Sequence, residues 1–168
     1  MYKGQKSIRG GIEDFLCPFT DFYLTCGPNE SKYHMGIMAI DVRGAESGIR
    51  YAYYAPATSK CIRTYPVSGQ VMWQTVNPVR CSNGYVGIVT YMTVHDDTMD
   101  AYPGLVVPQG NQLGNMGTKG NDRHFSLILF RSRCSFLSPS VCRIGTANRD
   151  KGVSHAYLGI QAKGYFFL

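Results

Sequence analysis

The sequence predicts a mainly β fold, an antiparallel sheet that is two-layered or barrel-like, with long loops forming a cleft. Three observations predict it. Apolar residues alternate with polar ones over short runs, turn signals such as Gly27-Pro28-Asn29, Ser82-Asn83-Gly84 and Tyr102-Pro103-Gly104 separate those runs, and helical periodicity is scarce. The length of 168 residues is that of one domain of ~100–200 residues, enough to bury roughly two thirds of the surface its unfolded chain exposes. Residues 1–168 are therefore read as a single domain.

Taken in order, residues 6–16 form the one helix candidate, weakened by the Gly10-Gly11 pair. Strands are expected at 22–25, 36–42, 51–54, 70–76, 84–94, 123–130 and 156–160. The strongest is 84–94, with Val86, Ile88, Thr90, Met92 and Val94 on one face and Tyr85, Val89, Tyr91 and Thr93 on the other. After it comes GLVVPQGNQLGNMGTKGN, residues 104–121, with glycines at 104, 110, 114, 117 and 120. Such density supplies positive φ and close backbone approach at sheet corners. A phosphate loop would need a G-K-[ST] ending between a strand and a helix, which is absent. The remainder, 131–168, ends in the apolar run GYFFL, which needs a partner, either the domain's own sheet or a larger assembly.

Seventeen Lys and Arg against eleven Asp and Glu give a net charge of +6, suited to an anionic partner. The basic residues are scattered, so the charge reads as solubility with weak steering toward an anionic polymer, and nucleic acid ranks last among partners. No apolar run approaches the ~18–20 residues that span a bilayer, so no membrane span is expected. The first residues are basic but broken by glycines and Glu13-Asp14, unlike a secretory signal. Export would then go by lysis or inside a particle, from a bacterial cytoplasm.

Six cysteines, at 17, 26, 61, 81, 134 and 142, form no C-x-x-C pair, which argues against a zinc ribbon or a thioredoxin-type site. Free thiols and unassigned disulfides both remain open, with buried thiols the default in a reducing cytoplasm, and none fits a ligand set. Four histidines are left to carry chemistry. His34 stands seven residues before Asp41, His95 ends the best strand, His124 opens the strand after the glycine-rich segment, and His155 reads as structural. Taken singly, each is as well explained as a structural or surface residue. Three protein ligands around zinc with one open position for water would be a hydrolytic site.

The ordered set of His34 and Asp41, then Pro66, Gly69 and Val71, then His95 at the end of 84–94, then Gly104, Val106, Gly110, Gly114, Gly117, Thr118, Gly120 and Asn121 running into His124, resembles the lysostaphin-like zinc metalloendopeptidases. The resemblance spans about residues 20–130, with 131–168 as an extension. It implies that family's fold and its activity, cleavage of peptide bonds in bacterial peptidoglycan. It also implies Zn²⁺ as cofactor, held by His34, Asp41 and His124, with His95 as a catalytic histidine. Tyr33, Tyr85, Tyr91 and Tyr102 become candidates to line a substrate groove.

Two departures from the family's pattern matter. The first histidine and the aspartate are usually four residues apart, which keeps both on one face of a strand. A separation of seven requires a bulge or turn around 36–39, and looks like that of members in the tail tips of short-tailed bacteriophages. The resemblance therefore implies a phage-encoded, virion-associated enzyme that meets the host wall, with other tail proteins as possible partners. The second departure is Asp122, in the place of a catalytic histidine. Asp122 reads either as a carboxylate general base, as in other zinc peptidases, or as the mark of a degenerate site. The alternatives are then a structural tail or assembly protein on the same fold, or a late-lysis enzyme with the same chemistry.

Overall fold

In the computed structural model the described residues are 1–19, 21–27, 30–32, 34–35, 38–44, 51–97, 100–117, 119, 125–130 and 143–144. Among them are fourteen strands and no helix. In chain order these are β1 (Ile8–Arg9), β2 (Ile12–Glu13), β3 (Asp21–Cys26), β4 (Met38–Gly44), β5 (Ala52–Tyr54), β6 (Ser59–Tyr65), β7 (Gln70–Thr75), β8 (Val79–Arg80), β9 (Val86–Gly87), β10 (Thr90–Val94), β11 (Val106–Val107), β12 (Gln112–Asn115), β13 (Phe125–Phe130) and β14 (Arg143–Ile144). The expected mainly β, antiparallel fold is observed. Eight strands make one open sheet in the order β11-β6-β7-β10-β13-β4-β3-β14, and three two-stranded sheets, β1-β2, β5-β12 and β8-β9, accompany it. Only β14, parallel to β3, departs from antiparallel pairing among these strands.

The helix candidate at 6–16 is corrected to a hairpin. Gly10 and Gly11 take φ of +58° and +77°, the two consecutive left-handed residues of a type I′ turn, whose twist suits paired strands and not a helix. Ile8 and Arg9 pair accordingly with Glu13 and Ile12. The run 84–94 is corrected too, because it changes sheets midway. β9 pairs with β8, while β10 pairs with β7 and β13. At the crossing, Val89 is fully buried and tied to Thr75, whose amide donates to the Val89 carbonyl and whose hydroxyl accepts from the Val89 amide. Val86 and Ile88 are exposed, whereas Met92 and Val94, read on the same face, are buried. A strand absent from the sequence reading, β6, carries a bulge between Cys61 and Arg63 that breaks its alternation. The candidate at 156–160 and the GYFFL ending lie outside the described residues.

One face of the main sheet is covered by a second layer built from the segment after β2, the β5-β12 ribbon and the β8-β9 hairpin. Phe15, Phe19, Tyr53, Ala55, Val79 and Met116 from that layer pack with Val71, Trp73 and Tyr91 from the sheet. Trp73 is fully buried and its indole N–H donates to Thr93 Oγ1 at 3.2 Å, so the large apolar body is enclosed without stranding its donor. Cys17 and Cys61 are buried thiols outside any disulfide, as the sequence suggested. Cys81 corrects that default, since it is disulfide-bonded.

Candidate metal centre and the neighbouring histidine

His34 lies in a turn ahead of β4, its amide donating to the Ser31 carbonyl at 3.0 Å. His34 thus reaches Asp41 from a turn that holds residues 34 and 35, while residues 36 and 37 of the segment where a bulge or turn was expected lie outside the described residues. Its imidazole is buried and held at both ends: Nδ1 is 3.0 Å from the Gly27 carbonyl oxygen and Nε2 is 3.2 Å from Asp41 Oδ2. A carbonyl oxygen only accepts, so Nδ1 carries the proton and Nε2 faces the carboxylate. Two acceptors that close repel one another unless a proton or a cation lies between them. Two ligands at ~2.0–2.1 Å from a tetrahedral zinc stand about 3.3 Å apart, and the pair fits that edge.

Cys26 offers a third atom able to bind a metal ion. Its Sγ and the His34 and Asp41 donor atoms all lie within 4.8 Å of one another. The reason is a bulge in β3: Leu24 pairs with Val42, but Cys26, not Thr25, pairs with Asp41. One extra residue shifts the face by half a period. In regular register Cys26 would stand opposite Ile40 and share its face, away from Asp41. The extra residue, Thr25, is anchored by its hydroxyl, which donates to the Asp41 carbonyl at 3.0 Å. Counting by twos along the sequence misses Cys26 for this reason, and the view that no cysteine fits a ligand set is corrected.

Asp41 also stands opposite Ser126 of β13, and Ser126 opposite Val94 of β10. His95, next after Val94, therefore lies about two strand spacings from Asp41, roughly 10 Å at ~4.8 Å each. His95 has φ +77°, the one non-glycine residue at positive φ among those described, a conformation that costs free energy and concentrates at functional sites. Its Nδ1 is bonded to the Lys119 carbonyl, so Nδ1–H donates and the other ring nitrogen, Nε2, is oriented by that bond.

Three of the sequence landmarks meet behind this histidine. The Asp96 amide donates to the Gly69 carbonyl at 3.1 Å, and Lys119 Nζ donates to the Pro66 carbonyl at 2.8 Å. A Cβ at Gly117 would fall 2.0 Å from the His95 carbonyl oxygen and 2.4 Å from the Asp97 nitrogen, so only glycine lets the two backbones close up there. Asp96, next in the chain, is buried. It accepts a hydrogen bond from the Tyr53 hydroxyl. Burial lifts its carboxyl, the Tyr53 hydroxyl opposes, Asp97 adds and Lys119 opposes, leaving it at about 7.

The tyrosine expectations divide. Tyr91 is corrected: it is fully buried, donates to Ser59 Oγ at 2.9 Å and packs edge-on against Phe15, so it lines no groove. Tyr85 is half-buried, its phenol over Gly87. Tyr102 is exposed. Tyr33, Asp122, His124 and His155 lie outside the described residues.

No family model matches the chain. Over 110 residues it is 30% identical to Morphogenesis protein 1 of Bacillus phage B103. The chain has a phage relative. The match takes in 66% of this chain and 30% of that protein, so the chain spans less than a third of the length of the curated relative. Among the described residues no helix is long and apolar enough to cross a membrane.

Proposed function

We propose that the chain is a phage-encoded, zinc-dependent endopeptidase of the lysostaphin-like kind, carried in the virion and cutting peptide bonds of peptidoglycan to open the wall as the genome is delivered. The observation that carries this reading is the buried His34, turned by the Gly27 carbonyl so that Nε2 meets Asp41 Oδ2 at 3.2 Å. His124, two residues ahead of Ser126, is the remaining ligand on this reading. Zinc at such a site supplies a water of pKa near 7 and polarises the scissile carbonyl.

The protein groups have separate tasks. The Gly27 carbonyl keeps His34 in the tautomer that presents Nε2, and Asp41 brings negative charge against the cation. His95, with Nδ1–H committed to Lys119, offers an Nε2 lone pair that accepts from the attacking water; once protonated, the same atom donates to the oxyanion. Asp122 is the second base, and proton transfer from a positioned group is typically worth ~10²–10⁴-fold in rate.

A second reading, a structural assembly protein on the same fold, is favoured by the name of the phage relative, Morphogenesis protein 1. Purified protein should carry about one zinc per chain and clear purified cell walls, with clearing lost on chelation. Bound zinc without clearing selects the assembly role, and no zinc under replete conditions removes the enzyme. Asp122→Ala should abolish clearing while zinc stays bound; an unchanged rate refutes the base assignment.

A further inference from the structure

We propose that Cys26 is a ligand of the same ion, its thiolate joining His34 Nε2 and Asp41 Oδ2, which makes the donor set Cys-His-Asp. The inference rests on the metal reading above and adds a residue that the family resemblance does not supply.

Three features of the geometry carry it. The donor atoms converge within 4.8 Å, and the convergence is built rather than incidental, because the β3 bulge at Thr25 turns Cys26 onto the Asp41 face. The thiol is free and half-buried, and its contact with the Gly27 carbonyl at 3.6 Å is a weak S–H interaction that a metal bond readily replaces. That same carbonyl fixes His34 Nδ1 at 3.0 Å. One backbone oxygen thus orients two of the three donors from outside the site, as the outer partners of metal ligands commonly do.

Binding forms a sulfur–metal bond as the S–H proton leaves to water. A thiolate in the set selects zinc-like ions over Mg²⁺ and Ca²⁺, which prefer oxygen. With His124 also bound, zinc would have four protein ligands, and a closed shell leaves no position for water. Cys26 therefore competes with water for the ion.

The test is titration of the purified full chain with Co²⁺, followed by absorption. Saturation near one cobalt per chain should bring visible ligand-field bands together with near-ultraviolet sulfur-to-cobalt charge transfer. In Cys26→Ser the visible bands should persist at weaker affinity and the charge-transfer band should vanish. Visible bands without charge transfer in the unaltered chain, or charge transfer that survives Cys26→Ser, overturns the proposal and leaves the His34 and Asp41 reading standing. Failure of the unaltered chain to bind cobalt overturns both. Alkylation of Cys26, followed by peptide mass in the unaltered chain, needs no variant: zinc should protect the thiol at least ~10-fold, a protection expected of a thiolate held by metal, and equal rates with and without zinc overturn the assignment.

Discussion

Asp14 and Asp96 are both buried acids on loops or strand ends next to the main core, and they are treated in opposite ways. Asp14 accepts from Ser7 Oγ at 2.6 Å, from Arg9 through Nε and a terminal nitrogen at 2.9 Å each, and from Arg80 at 3.4 Å. Burial works to raise its carboxyl, but the Arg9 and Ser7 hydrogen bonds and the charges of Arg9 and Arg80 outweigh that and hold it below the ordinary range. Asp96 has the Tyr53 hydroxyl on one oxygen, while its Oδ1 accepts no hydrogen bond, and its carboxyl rises to about 7. The first acid fastens a hairpin: Asp14 N bonds to the Ser7 carbonyl, and Gln109, itself fully buried, donates to the Asp14 carbonyl at 2.7 Å. The second directly follows His95. A fully paired acid marks scaffold, and an under-paired one stands beside the candidate chemistry, where native structures tolerate such costs.

Opposite shifts give opposite dependences on pH, and the larger effect is expected at Asp96. Its folded value of about 7 exceeds an unfolded value near 3.9, so between the two the folded state binds more protons and stability falls as pH rises. Asp96→Asn removes the ionisation and keeps an acceptor for Tyr53. The variant should match the unaltered protein near pH 4 and exceed it near pH 8 by up to about 4 kcal/mol, the worth of roughly three units at 1.36 kcal/mol each. Urea unfolding across that range checks it; parallel curves would show that Asp96 ionises as an ordinary carboxylate and would erase the contrast with Asp14.

Asp14→Asn should act the other way. Its depressed carboxyl contributes stability above the unfolded value that is lost as pH falls through the folded one. The substitution should cost about 2 kcal/mol at neutral pH, the scale of hydrogen bonds to charged groups, and progressively less toward acid. A loss independent of pH would mean that shape, and not charge, fastens the hairpin.

What the sequence revealed follows the same division between regular and irregular backbone. Alternation located β3, β4, β5, β7 and β13 to within a few residues, because each is read by its period. It failed wherever the period is broken. The β6 bulge hid a strand, Val89 hid a change of sheet, and Gly10-Gly11 turned a helix candidate into a hairpin. At the candidate site, His34, Asp41 and His95 were singled out through their order along the chain. Cys26 was not legible, since only the extra residue at Thr25 places it opposite Asp41. Asp96 carried no signal in the sequence, because the cover over it comes from Tyr53 and Gly114, neither near it in sequence.

The smallest effect separates the two kinds of tyrosine. Tyr91→Phe removes a hydroxyl that donates to Ser59 Oγ, and Ser59 keeps its own bond to the Ala57 carbonyl at 2.8 Å, so one hydrogen bond is lost, about 1 kcal/mol. Because the ring is fully buried and keeps its packing on Phe15, the affinity for peptidoglycan fragments that the proposed function requires should not move. Tyr102→Ala, at a residue 61% exposed, should leave stability within ~0.5 kcal/mol and weaken fragment binding if that side chain walls the groove. Calorimetric binding of soluble wall fragments to both variants decides the matter. Weaker binding by Tyr91→Phe at unchanged stability would reverse the assignment of this ring to the core and return it to the groove candidates that the resemblance implies.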